Sequence, residues 1–191
     1  SVVSGGSTTR PMIYFAEENA GVYAYAADSS SSGAPDHAWA TLTYGLNKHA
    51  PVALDDTVLL GSDEGDFWAL DRVTGNVNWS VMSGSPLLDS PWASGDQVYF
   101  ANGRGFHCHA REDGQHLWSY ERPGQFLVRR PDAVYLYVGR GTVHALDVNN
   151  GKLLRTVSFG EGVRFLTNMT DGIFYAVTQG GFVFMVDLGI Q

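Results

Sequence analysis

Histidines are the first candidates for chemistry in this sequence, because their spacing could suit metal binding. His107 and His109 lie two residues apart, so on a β-strand they project from one face, which suits a pair of metal ligands, and His144 could be a third. His107 and His144, however, occupy a position of the repeat described below that holds Trp68 and Phe184 in other copies. We therefore interpret them as packing rings and predict no metal site.

Three arginines, Arg129, Arg130 and Arg164, are the candidates for anion binding. Guanidinium groups that lie close together can grip a carboxylate or a phosphate through paired hydrogen bonds. They could equally neutralise carboxylates, of which the nearest candidates are Asp89, Asp132 and Glu161. We favour this structural pairing.

Catalytic signals are weak in this chain. Cys108 is the only cysteine, which excludes an internal disulfide and a cysteine-rich zinc site, and it occupies a position that holds alanine in other copies of the repeat. We expect a small buried apolar residue there. Acidic pairs such as Asp55–Asp56 lack the spaced loop of a calcium site, and no phosphate loop, nucleophile elbow or zinc-protease helix occurs. We predict no catalytic residue and no cofactor.

Composition indicates a folded protein. Of the 191 residues, 44% are hydrophobic and 17% are charged, and a chain of this size buries about 70% of its unfolded surface. Its formal net charge of -8 leaves no basic face for nucleic acid or an anionic membrane. No apolar run approaches the roughly 20 residues of a transmembrane helix. No signal peptide begins at Ser1, so a mature protein, an excised domain and a cytosolic protein all remain open.

A repeat of about 40 residues organises the chain. Five segments align on a glycine that lies between two short apolar runs, which predicts a β-hairpin in each. A turn and a further apolar segment follow, and another short apolar piece precedes each hairpin. The glycines are Gly21, Gly65, Gly105, Gly141 and Gly181. The repeat units are approximately 1–45, 46–84, 85–124, 125–160 and 161–191.

Four strands in about 40 residues form one blade of a β-propeller. We predict an all-β fold, a five-bladed β-propeller of four-stranded antiparallel blades, as a single domain over residues 1–191. The N- and C-terminal segments are expected to close the ring, with Val2 and Val3 supplying a strand to the blade that contains residues 182–187.

The segment from Ala69 to Trp79 resembles the tryptophan-docking motif Ala-x-Asp-x-x-Thr-Gly-x-x-x-Trp of the pyrroloquinoline-quinone (PQQ)-like repeat family of β-propellers. The unit that begins at Ala145 has Arg155 in place of tryptophan, and the unit at Cys108 has cysteine in place of alanine. The resemblance extends from Met12 to Asp187. The residues that carry it are Ala69, Asp71, Thr74, Gly75, Trp79, Gly114, Trp118, Ala145, Asp147 and Gly151.

A propeller concentrates polar groups along its central channel, so the channel mouth is the predicted ligand site. The segments expected to line it carry His49, Asp89, Arg129, Arg130 and Arg164.

The resemblance implies a non-catalytic binding or scaffold domain, because members of this family include propellers without redox chemistry. We expect a protein partner or a small-molecule or glycan ligand, a monomer, and a periplasmic or extracellular location. Two alternatives remain. A PQQ-dependent dehydrogenase with bound quinone and calcium is disfavoured by the lack of an adjacent-cysteine pair and of a haem-attachment motif, and by five units where eight are usual. A carbohydrate-binding propeller would use exposed aromatic rings such as Trp68, Trp92 and Tyr137.

Overall fold

A computed structural model describes residues 11–17, 21–28, 36–167 and 173–187, and all regular secondary structure in these ranges is β. The described strands form five antiparallel sheets, each a simple meander in chain order. The chain divides into two compact units, one of residues 1–91 with Glu112–Gly114 and the other of residues 92–111 with 115–191.

The first unit contains two sheets. The first has three described strands and the second has four, and every pairing joins strands that are consecutive in the chain. The strands are β1 (Met12–Glu17), β2 (Gly21–Ala26), β3 (Asp36–Leu42), β4 (Val52–Ala53), β5 (Thr57–Gly61), β6 (Asp66–Asp71) and β7 (Val77–Met82).

The second unit contains three sheets, with four, four and three described strands. The first of these is formed by β8 (Trp92–Ser94), β9 (Gln97–Asn102), β10 (Gly105–Ala110) and β11 (His116–Tyr120). The next is formed by β12 (Gln125–Arg129), β13 (Ala133–Tyr137), β14 (Thr142–Asp147) and β15 (Leu153–Ser158). The last is formed by β16 (Arg164–Leu166), β17 (Phe174–Val177) and β18 (Val183–Val186).

Burial follows the position of a strand in its sheet. The central strands β5 and β9 are buried along their whole length, as expected for strands covered on both faces. The outer strand β7 faces solvent and buries only Trp79 among its six residues. The large apolar residues of the central strands therefore form the cores. Where a solvent-facing strand contains a tryptophan, that single side chain anchors the strand.

Each unit has its own core. In the first unit Tyr14 and Trp39 pack with Leu60 and Trp68. In the second unit one cluster gathers around Tyr99 and Trp118 between the sheets that contain β9 and β13, and another lies between the sheets that contain β13 and β17.

A β-bulge interrupts four of the sheets at the same place of the repeat. It follows the residue that pairs with the outer-strand anchor, at Ala24, Ala69, Cys108 and Ala145. A bulge bends a strand and increases its twist, so the strand changes direction at this point in each of the four sheets.

The all-β prediction is confirmed, and so are the hairpins around each aligned glycine. Four strands per sheet are found in three of the sheets, whereas the first and last have three within the described ranges. The strand expected from Val2 and Val3 lies outside the described residues. Over the part of the chain that is described, no helix has the length and apolar character needed to cross a membrane.

Candidate functional site

The motif residues build a tight turn after the third strand of a sheet. Oδ1 of Asp71 accepts hydrogen bonds from the backbone N–H of Val73 (3.0 Å) and of Thr74 (2.7 Å) and from Oγ1 of Thr74 (2.8 Å). These bonds, above all those from Thr74, lower the pKa of the Asp71 carboxyl. Asp147 holds its own turn in the same way, through the N–H groups of Asn149 and Asn150.

The turn glycines lie directly against tryptophan rings. A Cβ on Gly75 would be 2.6 Å from Trp39, one on Gly114 would be 2.6 Å from Trp79, and one on Gly151 would be 2.4 Å from Trp118. All three glycines have positive φ angles between 69° and 75°. The glycine therefore serves both the turn and the contact, and the motif residues have a structural role.

Arg155 replaces the tryptophan in the outer strand β15. It pairs with Ala145, as Trp79 pairs with Ala69. Its Nη2 donates a hydrogen bond to the Tyr135 hydroxyl (3.0 Å), and its guanidinium lies 5.8 Å from the centre of the Tyr135 ring. A cation over an aromatic face thus takes the place of the indole.

The predicted histidine pair lies in a hydrogen-bonded polar cluster. His107 contacts Oγ of Ser119 (2.8 Å) and Oδ1 of Asn102 (2.9 Å), and Ser119 also contacts His116 (2.7 Å). Burial, followed by the charges of His109, His116 and Arg104, lowers the pKa of His107 to about 4.

His144 and Cys108 have separate surroundings. Nδ1 of His144 lies 2.8 Å from the Tyr120 hydroxyl, and burial lowers the pKa of His144. Cys108 is fully buried in the core, and burial raises the pKa of its thiol to about 12. Nowhere in the described ranges do three or more His, Cys, Asp or Glu residues gather in a way that could hold a metal ion.

His49 and Asp89, two of the predicted channel residues, lie on neighbouring segments of the first unit. His49 Nε2 is 3.0 Å from the carbonyl of Leu87, and Ser90 Oγ donates to the carbonyl of Ala50 (3.1 Å). Asp89 is exposed, and its carboxylate accepts a hydrogen bond from the N–H of Ser90 (2.7 Å).

The three predicted arginines of the second unit have different partners. Nε of Arg129 donates to Gln97 Oε1 (3.3 Å), and its Nη2 lies 3.7 Å from the Asp96 carboxylate. Arg130 forms an ion pair with Asp187 (2.6 Å). Arg164 is exposed and lines a groove of about 340 Å³ with Gly162, Val177, Thr178 and Gln179. Asp96 and Asp187 were not among the expected partner carboxylates. That the five residues together form a ligand site stays a prediction.

The aromatic side chains suggested for sugar binding pack inside the protein. Trp68 is buried. Trp92 is half-buried and stacks on Phe126 at 5.4 Å, and the ring of Tyr137 lies 4.9 Å from that of Phe165. These contacts remove the structural reason for assigning them to sugar stacking.

A group of large exposed apolar residues lies around the turn at residues 62–66 of the first unit. Leu42 is 84% exposed, Tyr44 is 82% exposed and Met82 is 88% exposed, and Leu46 and Leu88 are also exposed. We call these five residues the loop surface. Exposed apolar residues grouped in this way mark interaction sites more often than scattered ones do.

Contacts around the turn at residues 62–66 hold the segments of the loop surface together. On one side, Asp63 N–H donates to the carbonyl of Leu46 (2.9 Å), and a Cβ on Gly45 would be 3.1 Å from Glu64. On the other side, Ser83 N–H donates to the carbonyl of Gly65 (2.6 Å). The two apolar segments therefore flank one acidic turn.

The charges around the loop surface are mostly negative. Asp63 forms an ion pair with Lys48, while Glu64 and Asp89 are exposed. The site therefore combines large apolar side chains with an acidic border. Sequence motifs do not predict the loop surface, because its residues lie in connections that differ between repeats. The one signal in the sequence is the adjacent apolar and acidic pair Leu88–Asp89.

Comparison with known proteins places these features in a family. A family model described as "Outer membrane protein assembly factor BamB" matches residues 18–162 and confirms the predicted PQQ-like repeat. A curated protein of the same name from Moranella endobia (strain PCIT) is 28% identical over an alignment that covers 97% of this chain and 51% of that protein. The chain spans about half the length of the curated relatives it matches.

Solved structures give the same fold. BamB from Moraxella catarrhalis superimposes with a TM-score of 0.71 at 20% identity, covering 95% of this chain and 59% of that one. The C-terminal WD40 domain of Sif2 also gives 0.71, at 10% identity, covering 92% of this chain and 54% of that domain. At these identities the similarity concerns the fold alone, which is that of β-propellers.

Proposed function

We propose, for a chain that belongs to the PQQ-repeat family of the outer membrane protein assembly factor BamB, that it is a non-catalytic β-propeller scaffold that binds a protein in outer membrane protein assembly. The observation that carries the proposal is the loop surface, where Leu42, Tyr44 and Met82 are each more than four-fifths exposed. When a partner covers exposed side chains of this size, the free energy of binding becomes more favourable by roughly 25 cal/mol per Å² of apolar area.

The acidic border of the loop surface indicates the chemistry of the partner. Glu64 and Asp89 are exposed beside the apolar residues, and the whole chain carries a net charge of -8. Opposite charges at the rim speed association and select the partner, while the apolar centre supplies most of the affinity. The partner we propose is a protein surface with an apolar centre and Lys or Arg residues around it.

The same proposal covers the fold, the oligomeric state and the location. We propose that the five sheets are the blades of one propeller, which forms a single domain closed by its terminal segments. We also propose that this domain acts as a monomer in the periplasm, the compartment in which a scaffold for outer membrane protein assembly would work. Light scattering at several protein concentrations tests the monomer. A mass that rises with concentration would contradict it.

Site-specific photocrosslinking in cells tests the binding function. A benzophenone amino acid at position 44 should form an adduct with a component of outer membrane protein assembly, identified by mass spectrometry. The same amino acid in place of Leu154, which is half exposed on β15, is the matched control and should not. Equal adducts at the two positions, or adducts at position 44 only with unrelated proteins, would contradict the proposal.

Affinity measurements with the identified component complete the test. The double variant Tyr44→Ser, Met82→Ser should lose at least about tenfold in affinity, since each side chain is worth on the order of 1 kcal/mol when buried at an interface. The variant Leu154→Ser should bind as the unaltered protein does. Both variants change exposed residues, so both should keep the thermal unfolding midpoint of the parent.

A further inference from the structure

A cavity of about 260 Å³ in the first unit is lined by apolar residues and by one buried cation, Arg72. Arg72 is only 8% exposed. It follows Asp71 of the docking turn, and its carbonyl accepts a hydrogen bond from the indole of Trp39 (3.0 Å). Among the described residues, the rest of the lining consists of Met12, Tyr14, Ala26, Ala38, Asp55 and Val73.

The guanidinium of Arg72 contacts neutral acceptors. Its Nε donates to the hydroxyl of Tyr14 (3.0 Å), and its Nη1 donates to the carbonyls of Leu54 (3.2 Å) and Asp55 (3.3 Å). Within the described ranges, no carboxylate forms an ion pair with Arg72 and no acceptor lies within hydrogen-bond distance of its Nη2. Arginine stays charged at every physiological pH, so Nη2 is a charged donor with room for an anionic acceptor at the cavity.

Tyr14 supplies a second donor at the same place. Its oxygen accepts the hydrogen bond from Arg72, because arginine has donors only, so the phenolic hydrogen remains available. Tyr14 is 3% exposed, and no described residue accepts that hydrogen. Nη2 and Nε are bonded to the same guanidinium carbon, and the Tyr14 oxygen is 3.0 Å from Nε. Two adjacent donors thus line one cavity.

We propose that this cavity binds a carboxylate through Arg72 Nη2 and the Tyr14 hydroxyl, with a small apolar group of the ligand packed against Met12, Ala26 and Val73. The two oxygens of a carboxylate match two adjacent donors, and such charge-assisted hydrogen bonds are among the strongest in proteins. The cavity is smaller than the 300–1,000 Å³ that holds a drug-sized molecule, so it accommodates a group about as large as one amino-acid side chain.

Asp55 limits the charge of the ligand. It is exposed at the cavity, and its carboxylate weakens the binding of every anion, that of a dianion more than that of a monoanion. We therefore infer a monocarboxylate, either a free small acid or the C-terminal carboxylate of a peptide that ends in an apolar residue. The site is separate from the loop surface and does not depend on the proposed scaffold function.

Calorimetric titration with 3-methylbutanoate tests the site, with 3-methylbutanamide as the neutral control of nearly equal shape. The acid should bind saturably, and the amide should bind at least about tenfold more weakly because it cannot neutralise Arg72. The source of the carboxylate is tested with the peptide acetyl-Ala-Ala-Leu as free acid and as amide. A free-acid peptide that binds more tightly than 3-methylbutanoate identifies a chain terminus, and the reverse order identifies a small acid.

Two variants test the geometry. Tyr14→Phe removes one donor and keeps the ring against Trp39, so affinity for the acid should fall roughly three- to tenfold. Ala38→Phe places a large side chain in the cavity from an exposed position of β3 and should abolish binding, whereas Ala40→Phe, two residues along and also exposed, should not affect it.

The outcome is decided by the ligand comparison and by Tyr14→Phe, even if Ala38→Phe does not fold. Equal binding of acid and amide, no saturable binding of either the acid or the free-acid peptide, or unchanged affinity in Tyr14→Phe would overturn the proposal, and so would unchanged affinity in a folded Ala38→Phe.

Discussion

The indole Nε1 of Trp118 donates a hydrogen bond to the backbone carbonyl of Val148 at 2.9 Å, across the space between two neighbouring sheets of the second unit. The same ring covers Gly151 of the docking turn. In the first unit Trp39 makes the equivalent bond to Arg72 and covers Gly75. The outer strand of one sheet is thus fixed to the turn of the next by one polar and one apolar contact.

Gly151→Ala tests how tightly this contact is built. The new methyl carbon would be 2.4 Å from the Trp118 ring, and φ at this position is +69°. Overpacking and left-handed strain together should lower the free energy of unfolding by about 2–4 kcal/mol, measured by urea denaturation. Gly139→Ala is the matched control, because Gly139 has a φ of +97° and no atom within 4 Å of its Cβ position. It should cost only about 1 kcal/mol. Equal losses in the two variants would mean that the ring contact contributes nothing.

The docking turn and the outer strand that follows it are the part of the fold that could be predicted from the sequence. Ala69, Asp71, Gly75 and Trp79 have fixed spacing because all of them act within one strand, one turn and the next strand. Local geometry then dictates the residue types: a small residue opposite the tryptophan, a carboxylate that accepts turn N–H groups, and a glycine at positive φ.

The contacts of the arginines could not be predicted in the same way. Arg72 and Tyr14 are 58 residues apart, and Arg130 and Asp187 are 57 residues apart. Their meeting depends on how whole sheets pack, which no short spacing encodes. The residue type gave no signal either, since the equivalent residues of the next two units are Arg111 and Val148.

The exposed apolar loops also escaped the repeat analysis. Tyr44 and Leu88 lie in the connections between sheets, where length and composition change from one unit to the next. Periodicity reports on residues that pack in the core, and it carries no information about a surface that is covered only by a partner.

Asp71→Ala tests the docking turn itself. The substitution removes the acceptor of three hydrogen bonds, from Val73 N–H, Thr74 N–H and Thr74 Oγ1. We expect a loss of about 1 kcal/mol in the free energy of unfolding, comparable to the loss of a helix cap. Asp71→Asn keeps the Oδ1 acceptor and should recover part of that loss in the same denaturation experiment. If Asp71→Asn were as destabilised as Asp71→Ala, the charge rather than the hydrogen bonds would be the important feature.

The thiol of Cys108 should be protected from alkylation in the folded protein. It is fully buried, and burial raises its pKa to about 12. At pH 8 the reagent therefore cannot reach the sulfur, and almost none of the thiol is in the reactive thiolate form. Iodoacetamide should modify it at least about a hundredfold more slowly in buffer than in 6 M guanidinium, as followed by intact mass. Rapid modification in buffer would show that the core around Cys108 opens readily.

The stability of the protein should depend on pH through His107. Burial and the neighbouring charges lower the pKa of His107 to about 4 in the folded protein, from 6.5 for an unperturbed histidine. The unfolded chain therefore takes up a proton between pH 6.5 and 4 while the folded protein does not, and stability falls as the pH is lowered through this window. Above pH 6.5 the group is neutral in both states and its contribution is constant.

Urea denaturation at intervals from pH 7.5 to 4 measures this slope. One such histidine contributes at most about 1.4 kcal/mol per pH unit, and less here because solvent reaches part of the ring. His107→Gln keeps a polar group beside Asn102 and Ser119 and removes the titration, so its stability should fall less steeply over the same window. His37→Gln, an exposed histidine of the first unit, should keep the slope of the parent protein. Parallel slopes for all three proteins would mean that His107 is protonated in the folded state, with a pKa close to that of a free histidine.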